Sequence, residues 1–389
     1  MSFSFFRAPK TLLVGRGSIQ QIGIEVAKLN ASKVLIITDQ TIRKVGLIDL
    51  VTKPLEKQKI QYDMIDEIQQ EPPFENLEEI HNKIQDQGYD VYIGVGGGSV
   101  LDSTKVLALM PHNHENIRNW IGTDKVKHPG IPTILVPTTS GTGSEVTCNA
   151  IFTDQEDQVK KGIVSPYLLP AVAIVDAELT FTVPPAVTAA TGMDALVHAI
   201  ESYTSVHATD LTDGIALQAI RLIASSLRAA VYNPHDVKAK ENMAMGSLMA
   251  GISFGNAGVG AVHALAYPLG GKFHVPHGIA NSMLLSHVMK FNVVAKLDKF
   301  KEIAVAMGEN VAGLSTREAA FQAIAAMENL ATDLKIPASL KEVGVTASDI
   351  PTLAREASQI DRLLRNNPRK LTLEEIEQIY EHALGESQS

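Results

Sequence analysis

Near residue 181 the periodicity of this chain changes, and that change restricts its architecture more than any other feature of the sequence. Upstream, short β-type runs alternate with helical patterns. Thr11–Val14 precedes an amphipathic stretch from Ile19 to Leu29, and Lys33–Thr38 is a buried-strand run ending at Asp39. Tyr62–Ile65 precedes a helical pattern from Glu75 to Gln87, and Val91–Val95 precedes one from Ser99 to Met110. Ile131–Val136 and Ala171–Val175 complete the series. Strands alternating with helices predict a parallel sheet with helices on its faces. Downstream, Val187–Ser205, Asp213–Ala230, Val237–Ile252, Phe300–Met307 and Leu371–Leu384 all carry helical spacing, and the last opens with Thr372 and Glu375 in capping-box positions. No strand is expected there. The expectation is an α/β N-terminal domain over residues 1–182 and an all-α domain over 183–389, within what 389 residues allow at roughly 100–200 per domain.

The run from Asn242 to Gly271 holds no Asp, Glu, Lys or Arg over 30 residues, long enough to span a bilayer. Its seven glycines, with Ser247, Ser253, Asn256 and His263, point instead to helices buried inside a soluble domain. The N-terminal Met1–Arg7 is too short an apolar stretch for a signal peptide. Hydrophobic residues make up 45% of the chain, which excludes disorder. A net charge of −9 disfavours nucleic acid and anionic membranes as partners. The single cysteine, Cys148, rules out an intramolecular disulfide and a CxxC redox pair, so a reducing cytoplasm is the expected compartment.

Gly94-Val-Gly-Gly-Gly98-Ser99 lies between a strand and a helix. Glycines let the backbone approach a ligand closely, and the helix N-terminus offers unpaired N–H groups to a phosphate. Ser99 stands where a GxGxxG motif has its last glycine, and Lys105 is too distant for a P-loop. A second loop, Pro137-Thr-Thr-Ser-Gly-Thr-Gly-Ser-Glu145, is rich in hydroxyls that can reach phosphate or ribose. Asp39 has two readings: a carboxylate that binds ribose hydroxyls and favours NAD over NADP, or the N-cap of a helix starting near Thr41.

Asp194 and His198, four residues apart, share one face of a helix among apolar neighbours. A buried carboxylate there needs compensation. His263, His274 and His277 are candidates to share a divalent cation with it, Fe²⁺ or Zn²⁺ suiting such donors. The remaining histidines lack such neighbours.

Together these segments resemble the iron-containing, group III alcohol dehydrogenases over nearly the whole chain. The motifs that carry the resemblance are Gly96–Ser99 with Asp102 and Lys105, Pro137–Glu145, Gly192-Met-Asp194 with His198, His263, Pro276-His277-Gly278, and Asn367–Thr372 followed by Glu374-Glu-Ile. The resemblance implies the dehydroquinate synthase-like architecture: a dinucleotide-binding α/β domain, a helical metal-binding domain and a cleft between them. By matching position it implies metal ligands at Asp194, His198, His263 and His277. It implies NAD contacts at Asp39, Gly97, Gly98, Ser99, Thr138, Thr139, Thr142 and Lys160.

The implied reaction is hydride transfer between NAD(H) and a small alcohol or its aldehyde or ketone. Fe²⁺ is the implied metal, with Zn²⁺ as the alternative, and the implied state is a homodimer or larger assembly. Many members carry a proton-relaying histidine four residues after the third ligand. Here that position is Tyr267, so its hydroxyl or His274 is expected to substitute. The intact ligand set argues against the metal-free maleylacetate reductases of the superfamily. The competing readings are a zinc-dependent glycerol or polyol dehydrogenase, a dehydroquinate synthase-like lyase, and a non-catalytic metal- or nucleotide-binding protein.

Overall fold

The computed structural model describes residues 4–154 and 159–385 and resolves into two compact units. One comprises Arg7–Val183; the other comprises Pro184 onward together with the described residues that precede Arg7.

Among its described residues the first unit contains nine strands: β1 (Thr11–Val14), β2 (Lys33–Ile37), β3 (Gln61–Ile65), β4 (Val91–Gly96), β5 (Gly122–Thr123), β6 (Thr133–Pro137), β7 (Asn149–Asp154), β8 (Val159–Val164) and β9 (Val172–Val175). Its helices are α1 (Ile22–Lys28), α2 (Gln40–Lys44), α3 (Asp49–Lys57), α4 (Phe74–Ile84) and α5 (Gly98–Leu109). Six strands form one sheet in the order β1-β9-β6-β4-β2-β3, every adjacent pair parallel. These are the six runs expected from the sequence. Side chains alternate between two cores: Val34, Ile36, Val91, Ile93 and Val95 enter one, while Leu35, Ile37 and Tyr92 enter the other. Burial on both faces explains why central strands such as β2 and β4 read as continuous apolar runs.

The sequence reading did not anticipate β7 and β8, which form an antiparallel hairpin, or β5, which pairs with β8. Lys160, Lys161 and Gly162 give β8 a composition unlike a buried strand.

The second unit is helical among its described residues: α6 (Pro185–Thr204), α7 (Asp210–Tyr232), α8 (Val237–Ala257), α9 (Ala261–Phe273), α10 (His277–Asn292), α11 (Leu297–Ala306), α12 (Thr316–Asp333), α13 (Ile350–Ser358), α14 (Asp361–Leu364) and α15 (Leu373–Leu384). One hydrophobic core runs through it. The uncharged run covers most of α8 and α9, which bend by 104° across the break at Gly258–Gly260. Helix α7 is itself long and apolar enough to cross a membrane, and half of its apolar window is buried within the protein. The C-terminal motif secures α10: Asn367 and Asn292 exchange amide hydrogen bonds of 2.8 Å, and Arg369 donates to the Phe291 carbonyl at 3.1 Å. Thr372 accepts from Glu375 N–H as the N-cap of α15, as the capping-box spacing predicts.

Candidate metal centre and phosphate-binding turn

In the helical unit, three helices contribute to one polar spot inside an apolar core. Helix α6 carries Asp194, His198 and Glu201; α9 presents His263 from its first turn; α10 begins at His277. The start of α10 can lie against α6 because residue 278 is glycine. A Cβ there would stand 2.3 Å from the Ala190 carbonyl oxygen, and that backbone cannot yield.

One oxygen of Asp194 and one nitrogen each of His263 and His277 all lie within 4.8 Å of one another. Nε2 of His263 and Nε2 of His277 are each 3.9 Å from Asp194 Oδ1. His198 adjoins this trio without joining that spacing. Its ring stacks on His263 at a centroid separation of 4.7 Å and on Phe254 at 4.2 Å. Burial pushes the Asp194 carboxyl up, but the imidazoles of His198, His277 and His263 and the Asn281 amide outweigh it and hold the group below its ordinary value.

Two further side chains complete the spot, and sequence reasoning missed both. Glu201 Oε2 is 2.6 Å from His263 Nδ1, and its Oε1 accepts the Val262 N–H at 2.7 Å. Asn281 Nδ2 donates to Asp194 Oδ1 at 2.7 Å and lies 3.1 Å from His277 Nε2. Spacing offered a signal for each. Glu201 comes seven residues after Asp194 and Asn281 four after His277, so each shares a helix face with its partner.

The donor set fits a divalent cation. His263 Nε2 is buried with no protein hydrogen-bond partner, which leaves a costly orphan unless an ion takes its lone pair. Imidazole nitrogens with one carboxylate oxygen suit a first-row transition metal. The two residues expected to move a proton lie in different settings. Tyr267 is buried, its ring 6.0 Å from that of His277. His274 is exposed and ends α9 in the left-handed conformation, at φ 53°.

In the α/β unit, the parallel sheet brings three sequence motifs to one edge. Strand β4 lies between β2 and β6, so their carboxyl ends place Asp39, the Gly97–Ser99 turn and the Thr138 loop side by side. Open α/β sheets bind ligands at such an edge. Thr38 Oγ1 donates to the Val95 carbonyl at 2.8 Å and Thr138 N–H to the Gly96 carbonyl at 3.0 Å, tying the three ends together.

Gly97 caps α5, and a Cβ at Gly98 would fall 2.7 Å from Thr142 Cγ2, so the second loop closes over the turn. Thr139 packs nearby, 3.7 Å from the position of a Cβ on Gly97. Lys105 does not reach the turn. Its buried ammonium is 3.0 Å from Asp102 Oδ1 and donates to the carbonyls of Ser144 (3.0 Å) and Asn149 (2.5 Å). Asp102 in turn accepts from Ser144 Oγ at 2.5 Å and Ile151 N–H at 2.9 Å, so this pair serves to clamp the loop. Glu145, the buried last residue of this loop, is pushed up to about 7 by desolvation, which its backbone hydrogen bond and Lys105 only partly oppose.

Lys160 comes near Ser99 through Glu71. Its Nζ is 3.0 Å from Glu71 Oε1, and the Glu71 N–H donates to Ser99 Oγ at 3.1 Å. Asp39 caps α2, its Oδ1 accepting from Thr41 N–H at 2.7 Å and Ile42 N–H at 3.0 Å. Capping occupies one oxygen of the carboxylate, so it is compatible with the ribose reading.

A family model described as "Iron-containing alcohol dehydrogenase" matches residues 9–177, and one described as "Fe-containing alcohol dehydrogenase family, C-terminal" matches residues 188–384. The long-chain-alcohol dehydrogenase 1 of Geobacillus thermodenitrificans is 42% identical over 99% of this chain and 98% of its own length. The NAD-dependent methanol dehydrogenase of Bacillus methanolicus is 38% identical, over 97% of this chain and 99% of its own. Among solved structures, a 1,3-propanediol oxidoreductase superposes with a TM-score of 0.96 at 39% identity, covering 98% of this chain and all of that one (100%).

Proposed function

The chain belongs to the iron-containing alcohol dehydrogenase family, and from that premise we propose which of its residues hold the metal and which the dinucleotide. It is a metal-dependent, NAD-linked oxidoreductase that interconverts small alcohols with their aldehydes or ketones. Family membership favours Fe²⁺ over the zinc-dependent polyol alternative.

In this reading Asp194, His198, His263 and His277 hold the metal. One observation carries the assignment: the buried, unpartnered Nε2 of His263 stands 3.9 Å from Asp194 Oδ1, and His277 Nε2 stands at the same distance. Bound Fe²⁺ supplies Lewis acidity at the substrate oxygen, and NAD supplies the hydride acceptor.

The chain's own residues then position and protonate. Asp194 brings the one negative charge of the ligand set. Stacking with Phe254 and His263 holds the His198 ring in place. We assign the substrate proton to Tyr267 Oη, because that ring is buried beside His277 whereas His274 is exposed. Asp39, Gly97, Gly98, Ser99, Thr138, Thr139, Thr142 and Lys160 contact NAD, the turn through its N–H groups and Asp39 through ribose hydroxyls. We further place the enzyme in the cytoplasm as a homodimer or larger assembly.

The test is His277→Ala in protein loaded with Fe²⁺ under anaerobic conditions. Alcohol oxidation followed by NADH absorbance is expected to fall about a hundredfold or more, with NADH binding by fluorescence unchanged. Full turnover in this variant overturns the ligand assignment.

A further inference from the structure

We propose that Glu201 is a positioning residue for the metal centre, holding His263 in the tautomer whose Nε2 lone pair faces Asp194. The inference rests on the ligand set above and adds a residue that no motif in the sequence marked out.

Glu201 lies two helical turns after Asp194 on α6, and its side chain is almost wholly buried, 1% exposed. Its two oxygens are both engaged. Oε1 accepts the Val262 N–H at 2.7 Å and Oε2 lies 2.6 Å from His263 Nδ1. A carboxylate offers no proton to that contact, so the hydrogen sits on Nδ1 and a neutral His263 keeps its lone pair on Nε2. That nitrogen is the buried atom without a partner, 3.9 Å from Asp194 Oδ1.

The surroundings are built for this carboxylate. Among the described residues it forms no ion pair with Lys or Arg. The first turn of α9, with its N-terminal partial positive charge, receives it instead. Residue 260 is glycine, and a Cβ there would press to 3.3 Å from Glu201 Oε1 and 3.2 Å from Asn367 Oδ1. A histidine ligand whose second nitrogen donates to a carboxylate is fixed in ring orientation and made more basic, and loss of such a partner lowers metal affinity about 10–100-fold.

Capping of α9 and setting of the tautomer can be separated. Glu201→Gln keeps an oxygen for the Val262 N–H but turns an NH₂ toward His263 Nδ1. The imidazole proton then moves to Nε2, where it blocks ligation. Full-length protein stripped of metal is titrated with Co²⁺, monitored by its visible absorption, and with Zn²⁺ against a chromophoric chelator. The thermal midpoint and NADH affinity are measured alongside.

The expected result is a 10–100-fold loss of affinity for both ions in Glu201→Gln, with NADH affinity unchanged. Equal ion affinity in variant and wild type, with the wild type binding one ion per chain, overturns the role of Glu201 and leaves the ligand set standing. A wild type that takes up neither ion, while binding NADH, overturns the ligand assignment and this proposal with it. If the variant does not fold, ¹⁵N shifts of the His263 ring in the metal-free wild type decide: a proton on Nδ1 supports the proposal, and a proton on Nε2 overturns it.

Discussion

Asp39 illustrates how one side chain can serve the fold and the ligand at once. Its Oδ1 receives two N–H groups at the start of α2, while its negative charge sits at the sheet edge that carries the phosphate-binding turn. Asp39→Asn keeps an oxygen for the cap and removes only the charge, so stability should change little. Repulsion of a 2′-phosphate should fall. The expected outcome is a rise of about tenfold in kcat/KM for NADP relative to NAD, worth about 1.4 kcal/mol. An unchanged ratio in steady-state assays with both dinucleotides would assign Asp39 to capping alone. Lys105 makes the opposite point: too far along the helix from the glycine-rich turn for a P-loop, its ammonium is consumed by Asp102 and two carbonyls.

At the scale of elements, what could be read in advance depended on how each segment is buried. The central sheet strands β2, β4, β6 and β9 are buried and appear as apolar runs with a clear end, whereas edge strand β3, with Gln61 and Asp63, gives a weaker signal. The hairpin of β7 and β8 carries Asp154, Lys160 and Lys161 and shows no such run. The uncharged run reads as buried helices, but Pro268 and the glycines around it obscure the bounds of α9, and polar residues scattered along α10 leave it no clean apolar stripe. Those two helices deliver His263 and His277, so their histidines were visible while the geometry joining them was not. Glu201 and Asn281 become apparent only when helix faces are compared.

The close approach of α10 to α6 gives a test at this scale. Gly278→Val places atoms against the Ala190 backbone and should cost about 1–3 kcal/mol. Because His277 moves with α10, metal affinity by chelator competition should fall together with the melting temperature. A variant that melts lower but binds metal as before would separate helix packing from ligand placement.

Across the whole molecule, each unit has its own core and each of the two proposed ligands belongs to one unit. A ligand stabilises the state that binds it by mass action, about 2.7 kcal/mol at a hundred times its Kd. Hydrogen exchange should therefore show metal protecting α6, α9 and the start of α10, with NAD protecting the turns after β2, β4 and β6. Metal-induced protection confined to the α/β unit would contradict the proposed ligand set. The uncharged stretch folded into α8 and α9 has a cost outside the native state. Thirty residues without a formal charge are harmless while neighbouring helices cover them, but a denatured chain displays them as one adhesive ribbon. Recovery from denaturant should consequently decline steeply with protein concentration, and new-made polypeptide would need a chaperone's shelter until that ribbon is packed away.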